Sequence, residues 1–206
     1  MEHNSITTKT LSACSKNLQS VWKKASKGQK IYQGVNRRLL NTANHIEHLA
    51  GLSILDIGSN QGLLSCLASR YCPSVKGIEV HKGAYKRSLK TKEWMTNNGH
   101  NVDHVSFGWY ELCNFENTED INGILASCVI YNMDDANIER FFSLLPQCER
   151  VIYQTRPSSM DRIAGRSKYK VCMVKDVENM FDDKGFSVTG ISGLKTRWPV
   201  LLAERK

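Results

Sequence analysis

SILDIGSNQGLLSCLAS, residues 53–69, is the stretch on which the reading of the fold turns. A short apolar run ends in Asp56-Ile57-Gly58, and apolar residues resume at Leu63, Leu64, Cys66 and Leu67 with helical spacing. The pattern predicts a buried strand, a tight turn and a helix. Gly58 can take the positive φ that a sharp turn needs, and Gly62 lets the next helix pack close. G-x-x-x-G is a common pattern by itself. Its placement between a strand ending in a carboxylate and a helix, with a second strand ending in Glu79 further on, is far more specific. In an open α/β sheet such a turn lies at the crevice beyond the strand ends, where ligands bind.

Outward from this turn the chain alternates. Strands are expected at LSILDI (52–57), VKGIEV (75–80), VDHVSF (102–107), GILASCVIYN (123–132) and ERVIYQT (149–155). Helices are expected over 61–71, 82–98 and 136–145. Strands alternating with helices imply a mainly parallel sheet covered on both faces. The end differs: VKDVENMFDDKGFSVTGI (174–191) reads as helix, glycine stop and strand, and the final strand in GLKTRWPVLLAERK (193–206) has no helix before it. A strand that follows another without a crossover helix is expected to pair antiparallel. Ahead of the sheet, Leu11, Cys14, Leu18, Val21, Trp22 and Ala25 form one amphipathic pattern, and Val35, Leu39, Leu40, Ala43, Ile46 and Leu49 a second, stopping at Gly51. Residues 1–50 therefore read as a helical cap or lid, and 51–206 as one globular unit.

A chain of 206 residues is long enough to bury a proper core. No apolar run reaches the length of a membrane span, and MEHNSITTKT has no signal-peptide apolar region. The seven cysteines are scattered, with no C-x-x-C pair and no metal-ligand spacing, and most lie in apolar runs as core residues of a reducing compartment. The expectation is a cytoplasmic protein without metal. Its net charge of +8 is unevenly spread. Residues 1–50 hold eight Lys/Arg against two Glu, residues 101–149 nine Asp/Glu against one Arg, and HKGAYKRSLKTK (81–92) five basic residues and no acid. Such asymmetry suggests a basic face for an anionic partner.

Two ligand classes compete for the glycine turn. A dinucleotide site wants G-x-G-x-x-G and a pyrophosphate on the helix N-terminus, but this chain has Gly58, Asn60 and Gly62, with Asp56 repelling a phosphate. A cationic ligand reverses that argument. LDIGSNQG resembles the first motif of the class I S-adenosylmethionine-dependent methyltransferases, usually (acidic)-x-G-x-G-x-G, with Asn60 in place of the central glycine. Glu79 matches the acidic residue which that family places on the ribose, and KGFSVTGI…RWPVLLAERK resembles its closing elements. The resemblance covers roughly 50–206. It implies a Rossmann-like doubly wound sheet of about seven strands with the last antiparallel, and S-adenosyl-L-methionine as cofactor. It also implies Asp56, Gly58, Ser59, Asn60 and Gly62 around the methionine moiety and Glu79 on the ribose. Trp109, after the third strand, is the candidate for the adenine side.

The acceptor is less marked. The fourth strand end, IYNMDD, lacks the D/N/S-P-P-aromatic motif of exocyclic base-nitrogen enzymes, and no Pro-Cys pair suggests carbon-5 methylation. Tyr131 and Asp134 are the catalytic candidates, beside Asp135 and His81, although capping of the following helix is the favoured role for Asp134 or Asp135. Arg156, Arg162 and Arg166, with Arg37 and Arg38, are candidate phosphate contacts. The expected activity is methyl transfer, leaning to RNA or another phosphate-bearing substrate. A small-molecule acceptor, a non-catalytic S-adenosylmethionine-binding module and an NAD-dependent oxidoreductase are the alternatives, and the oligomeric state is left open.

Overall fold

The computed structural model of the chain describes residues 39, 41–116, 120–156, 167–169, 171–192 and 198–206. The first expected helix, the start of the second, and Arg37, Arg38, Arg162 and Arg166 lie outside the described residues. Seven strands form one sheet: β1 (Ser53–Ile57), β2 (Ser74–Ile78), β3 (Val105–Gly108), β4 (Gly123–Ser127), β5 (Arg150–Gln154), β6 (Phe186–Ser192) and β7 (Val200–Arg205). Their order is β3-β2-β1-β4-β5-β7-β6. The four consecutive pairings from β3 to β5 are parallel throughout, while β7 runs antiparallel to both β5 and β6. The order reverses between β1 and β4, which puts the switch point directly beyond Ile57 and Ser127.

Among the described residues, the helices α1 (Leu63–Ala68), α2 (Lys82–Asn97), α3 (Asp135–Leu144) and α4 (Val174–Asp182) cover the sheet. Strand residues alternate between two cores. Ile54, Val75, Leu125 and Ile152 join Leu64, Leu67 and Met95 on the side of α1 and α2. Leu55, Ile57, Ile124, Val151 and Tyr153 join Ile138, Phe141, Val177 and Phe181 on the side of α3 and α4. Tyr153, Phe141, Phe181 and Phe186 pack with centroids 5.7–6.3 Å apart, mostly tilted or edge-on, as aromatic quadrupoles prefer. Burial on both faces is what makes these strands read as continuous apolar runs.

Two expected elements are shorter than their apolar patterns. The expected fourth strand stops at Ser127 instead of Asn132, because Cys128 turns left-handed (φ 58°) and Ile130–Asn132 forms a 3-10 turn. The apolar run continues through that turn because Ile130 and Tyr131 still face the α3 core. Before β1, the second expected helix is interrupted at Asn44 and His45 and resumes as a 3-10 turn over Ile46–Leu49, where Ile46 and Leu49 are fully buried.

The glycine turn is bound to its surroundings by close packing. Gly62 has φ +74°, and a Cβ there would come 2.4 Å from Phe107 Cζ and 2.8 Å from Ser88 Cβ. Gly185, at φ +81°, has open space around it. Gly185→Ala is therefore expected to cost about 1 kcal/mol of conformational strain, whereas Gly62→Ala adds an overpacking cost of about 1–3 kcal/mol. Urea denaturation of both variants tests this, and equal losses would contradict the packing account.

Candidate functional site

The site is built at the switch point from the ends of β1, β2, β3 and β4. Asp56 sits on β1 between Gly77 and Leu125 in register. It shares with Ile54 the face toward α1 that is otherwise apolar. Its carboxylate is almost completely buried and accepts a 2.5 Å hydrogen bond from Ser65 Oγ of α1. Removal from water pushes its pKa up to about 7, opposed by the Ser65 hydrogen bond and reinforced by the Glu79 charge. A carboxylate held in this way favours a cation and resists a second anion.

The chain turns tightly over Asp56. Gly58 (φ +69°), Asn60 (φ 50°) and Gly62 (φ +74°) are all left-handed, so Asn60 occupies the central position of the motif in the conformation a glycine would take. A Cβ on Gly58 would meet Val129 Cγ2 at 2.4 Å, which shows how closely the β4 end is seated on the turn. Ser59 N donates to Ile78 O at 2.9 Å and Gly62 N to Ser59 O at 2.8 Å, closing the loop onto β2. The Ser59 hydroxyl is buried and has no hydrogen-bond partner among the described residues, a costly state for a donor unless a ligand meets it.

Glu79 follows β2 and is buried. Its Oε2 accepts from Asn60 N at 2.9 Å and its Oε1 from His81 N at 2.8 Å, so one carboxylate fastens the glycine turn to the start of α2. Beyond β3, Trp109 is about half exposed. Its Nε1–H donates to Val80 O at 2.9 Å, and Lys82 Nζ lies 4.6 Å from the ring centroid. The one donor of the indole is thus already used, leaving ring surface to offer a ligand.

The acceptor-side candidates are placed differently. Tyr131 is buried within the α3-side core. Asp134 caps α3, its Oδ1 accepting from Asn137 N at 3.0 Å and Asn137 Nδ2 at 2.8 Å. Asp135 accepts from Ser167 Oγ and Lys168 N, which hold its pKa below the usual carboxylate range. Arg156, two residues past β5, stacks its guanidinium 4.7 Å over the Trp198 ring, and its Nε is buried without a hydrogen-bond partner among the described residues. Sequence reasoning missed Trp198, Ser65 and Val129. Ser65 was detectable as a polar residue on the buried stripe of α1, while Trp198 and Val129 depend on long-range packing. The described residues hold no cluster of three His, Cys, Asp or Glu side chains and no helix long and apolar enough to cross a membrane.

No protein-family model matches the sequence, and no curated protein matches it. Solved structures do. Magnesium protoporphyrin IX methyltransferase from Synechocystis PCC 6803, with S-adenosylmethionine bound, superposes over the full length of both chains at TM-score 0.65 and 15% identity. The N-methyltransferase NodS from Bradyrhizobium japonicum WM9 matches 85% of this chain and 99% of its own at TM-score 0.60 and 16% identity. Streptococcus pneumoniae Sp1610, a candidate tRNA (m1A22) methyltransferase, matches 82% of this chain and 69% of its own at TM-score 0.54 and 21% identity. The chain has the Rossmann-like fold of the class I S-adenosylmethionine-dependent methyltransferases.

Because the folded protein holds the Asp56 proton more tightly than the unfolded chain does, this group's contribution is fully present below about pH 4. It is lost as pH rises toward about 7. Without ligand, Asp56→Asn should therefore raise Tm relative to wild type at pH 8, with the gap shrinking by pH 5. A Tm difference independent of pH would show that burial does not control this carboxylate.

Proposed function

We propose that the protein is an S-adenosylmethionine-dependent methyltransferase whose acceptor is an RNA or another phosphate-bearing molecule. The observation that carries the reading is the buried Asp56 carboxylate beneath three left-handed residues, beside the doubly anchored Glu79. The chemistry the cofactor supplies is an electrophilic methyl group on a sulfonium. Ionised Asp56 offers the counter-charge for a cationic methionine moiety. Gly58, Asn60 and Gly62 carry the chain past it in left-handed conformations, and the Ser59 hydroxyl is a buried donor with no partner among the described residues. Glu79, with both oxygens oriented by backbone N–H groups, keeps lone pairs for ribose hydroxyls.

A dinucleotide oxidoreductase fits less well. Doubly wound dinucleotide folds commonly follow the order 3-2-1-4-5-6, whereas here an antiparallel β7 is inserted between β5 and β6. The buried Asp56 carboxylate beneath the turn would also meet the pyrophosphate.

On the acceptor side, Asp134 is occupied as a helix cap and Tyr131 is buried, so the reading calls on positioning more than on a general base. Aligning donor and acceptor is worth effective molarities of about 10⁵–10⁸ M for a nucleophilic acceptor. Arg156 supports an anionic acceptor: it stands just past the end of β5 with a buried Nε–H that has no partner among the described residues and its guanidinium plane backed by Trp198, and Arg is suited to bind phosphate in this way.

Transfer of labelled methyl from S-adenosylmethionine into fractionated cell extract tests the proposal. Label is expected in the nuclease-sensitive fraction, absent with Asp56→Ala. Arg156→Ala should raise the acceptor KM about tenfold, the loss of one charge-assisted contact, with S-adenosylhomocysteine affinity unchanged. Label in a nuclease-resistant small molecule would overturn the acceptor class. S-adenosylhomocysteine binding with no labelled product would overturn the enzyme.

A further inference from the structure

The exposed face of α2 is unlike the rest of the described surface. Ala84, Ser88, Thr91 and Met95 form its buried stripe. Lys82, Lys86, Arg87 and Lys90 all lie exposed, and none makes an ion pair among the described residues. Lys82, Lys86 and Lys90 are spaced i, i+4, i+8, so they recur about every 6 Å along the axis at 1.5 Å per residue. That repeat is comparable with the separation of successive phosphates along an extended strand. Lys92 is different: its ammonium is used by the carbonyls of Asp103 and Val105. The first acid, Glu93, comes only at the far end.

Apolar surface borders the same face. Four large apolar side chains are exposed among the described residues, and three of them, Val80, Leu89 and Trp109, belong to α2 or to the loops at its start. Trp109 is locked in place by its hydrogen bond to Val80 O and by the Lys82 ammonium over its ring. A solvated lysine face would need no immobilised indole at its end. Regularly spaced cations leading to a fixed aromatic ring are the elements of a single-strand platform: phosphates along the charges, a base on the ring. The N-terminal end of α2 is joined to the glycine turn through Glu79, which binds both Asn60 N and His81 N. A strand on this face would therefore be led to the rim of the crevice.

We propose that Lys82, Lys86, Arg87 and Lys90 of α2, with Trp109, form a docking surface for the phosphate backbone of single-stranded RNA. This rests on the reading of an RNA acceptor and adds the surface that holds the acceptor outside the site of transfer. An acidic protein segment would also be drawn to these charges, but it has no use for the fixed indole.

The test uses the full chain and a fluorescent single-stranded oligoribonucleotide of mixed sequence, with affinity measured across a salt series. The variants are Lys86→Gln/Arg87→Gln/Lys90→Gln and, separately, Trp109→Ala. S-adenosylhomocysteine affinity of the triple variant serves as the control for folding. The triple variant should bind RNA at least tenfold more weakly, and its log–log salt slope should be shallower by about 2, since each phosphate contact in a single strand contributes about 0.7. Trp109→Ala should weaken binding with the slope unchanged. RNA binding by wild type that the triple variant retains in full would overturn the α2 surface while leaving an RNA acceptor intact. No RNA binding by wild type, with labelled methyl passing to a small molecule, would overturn both. RNA displaced from wild type by polyglutamate at equal charge concentration, with Trp109→Ala without effect, would assign the surface to an acidic protein partner instead.

Discussion

A carboxylate buried inside a parallel sheet is the constraint around which the other features of the crevice are arranged. Asp56 occupies a β1 position whose neighbours on the same face are apolar, and among the described residues the Ser65 hydroxyl is the one side chain that donates a hydrogen bond to it. Burying a carboxyl group costs free energy that packing must offset, and here the cost appears as a pKa near 7. A fold that needed only stability would place a leucine or valine there. The carboxyl group makes sense when the folded protein meets a cation at the strand end, and the turn above it is shaped to let that happen.

The turn and the sheet depend on each other. Gly58 is pressed against Val129 and Gly62 against Phe107 and Ser88, so β4, β3 and α2 all constrain the same five residues. Glu79 completes the link by holding Asn60 and His81 through one carboxylate. The result is a crevice floor whose shape is set by backbone conformation and close packing, not by a flexible loop. Preorganisation of this kind lowers the ordering cost of binding a small ligand.

Much of this was legible in the sequence because its signals are local. The strand–Asp–glycine–helix pattern at 53–69, the second strand leading to Glu79 and the hairpin at the C-terminus each follow from periodicity and turn residues within short windows. The β4 boundary was not legible: GILASCVIYN is uniformly apolar, and nothing local says that Cys128 will turn left-handed. Insertion of β7 between β5 and β6 likewise depends on pairing across distant segments. The roles of Ser65 and Trp198 emerged only when separate elements were brought together. Asp134 shows the reverse case, a residue type fit for catalysis at a strand end that the fold uses as a helix cap.

The central claim is that Asp56 is a charge reserved for a cationic adenosyl ligand, and the most direct test is the pH dependence of S-adenosylmethionine binding by calorimetry. If Asp56 must ionise for binding, affinity should tighten about tenfold between pH 6 and pH 8, as expected for a group with a pKa near 7 in the free protein. In Asp56→Asn the binding should be weak and flat over that range. Affinity that is independent of pH, or that weakens as pH rises, would contradict the account.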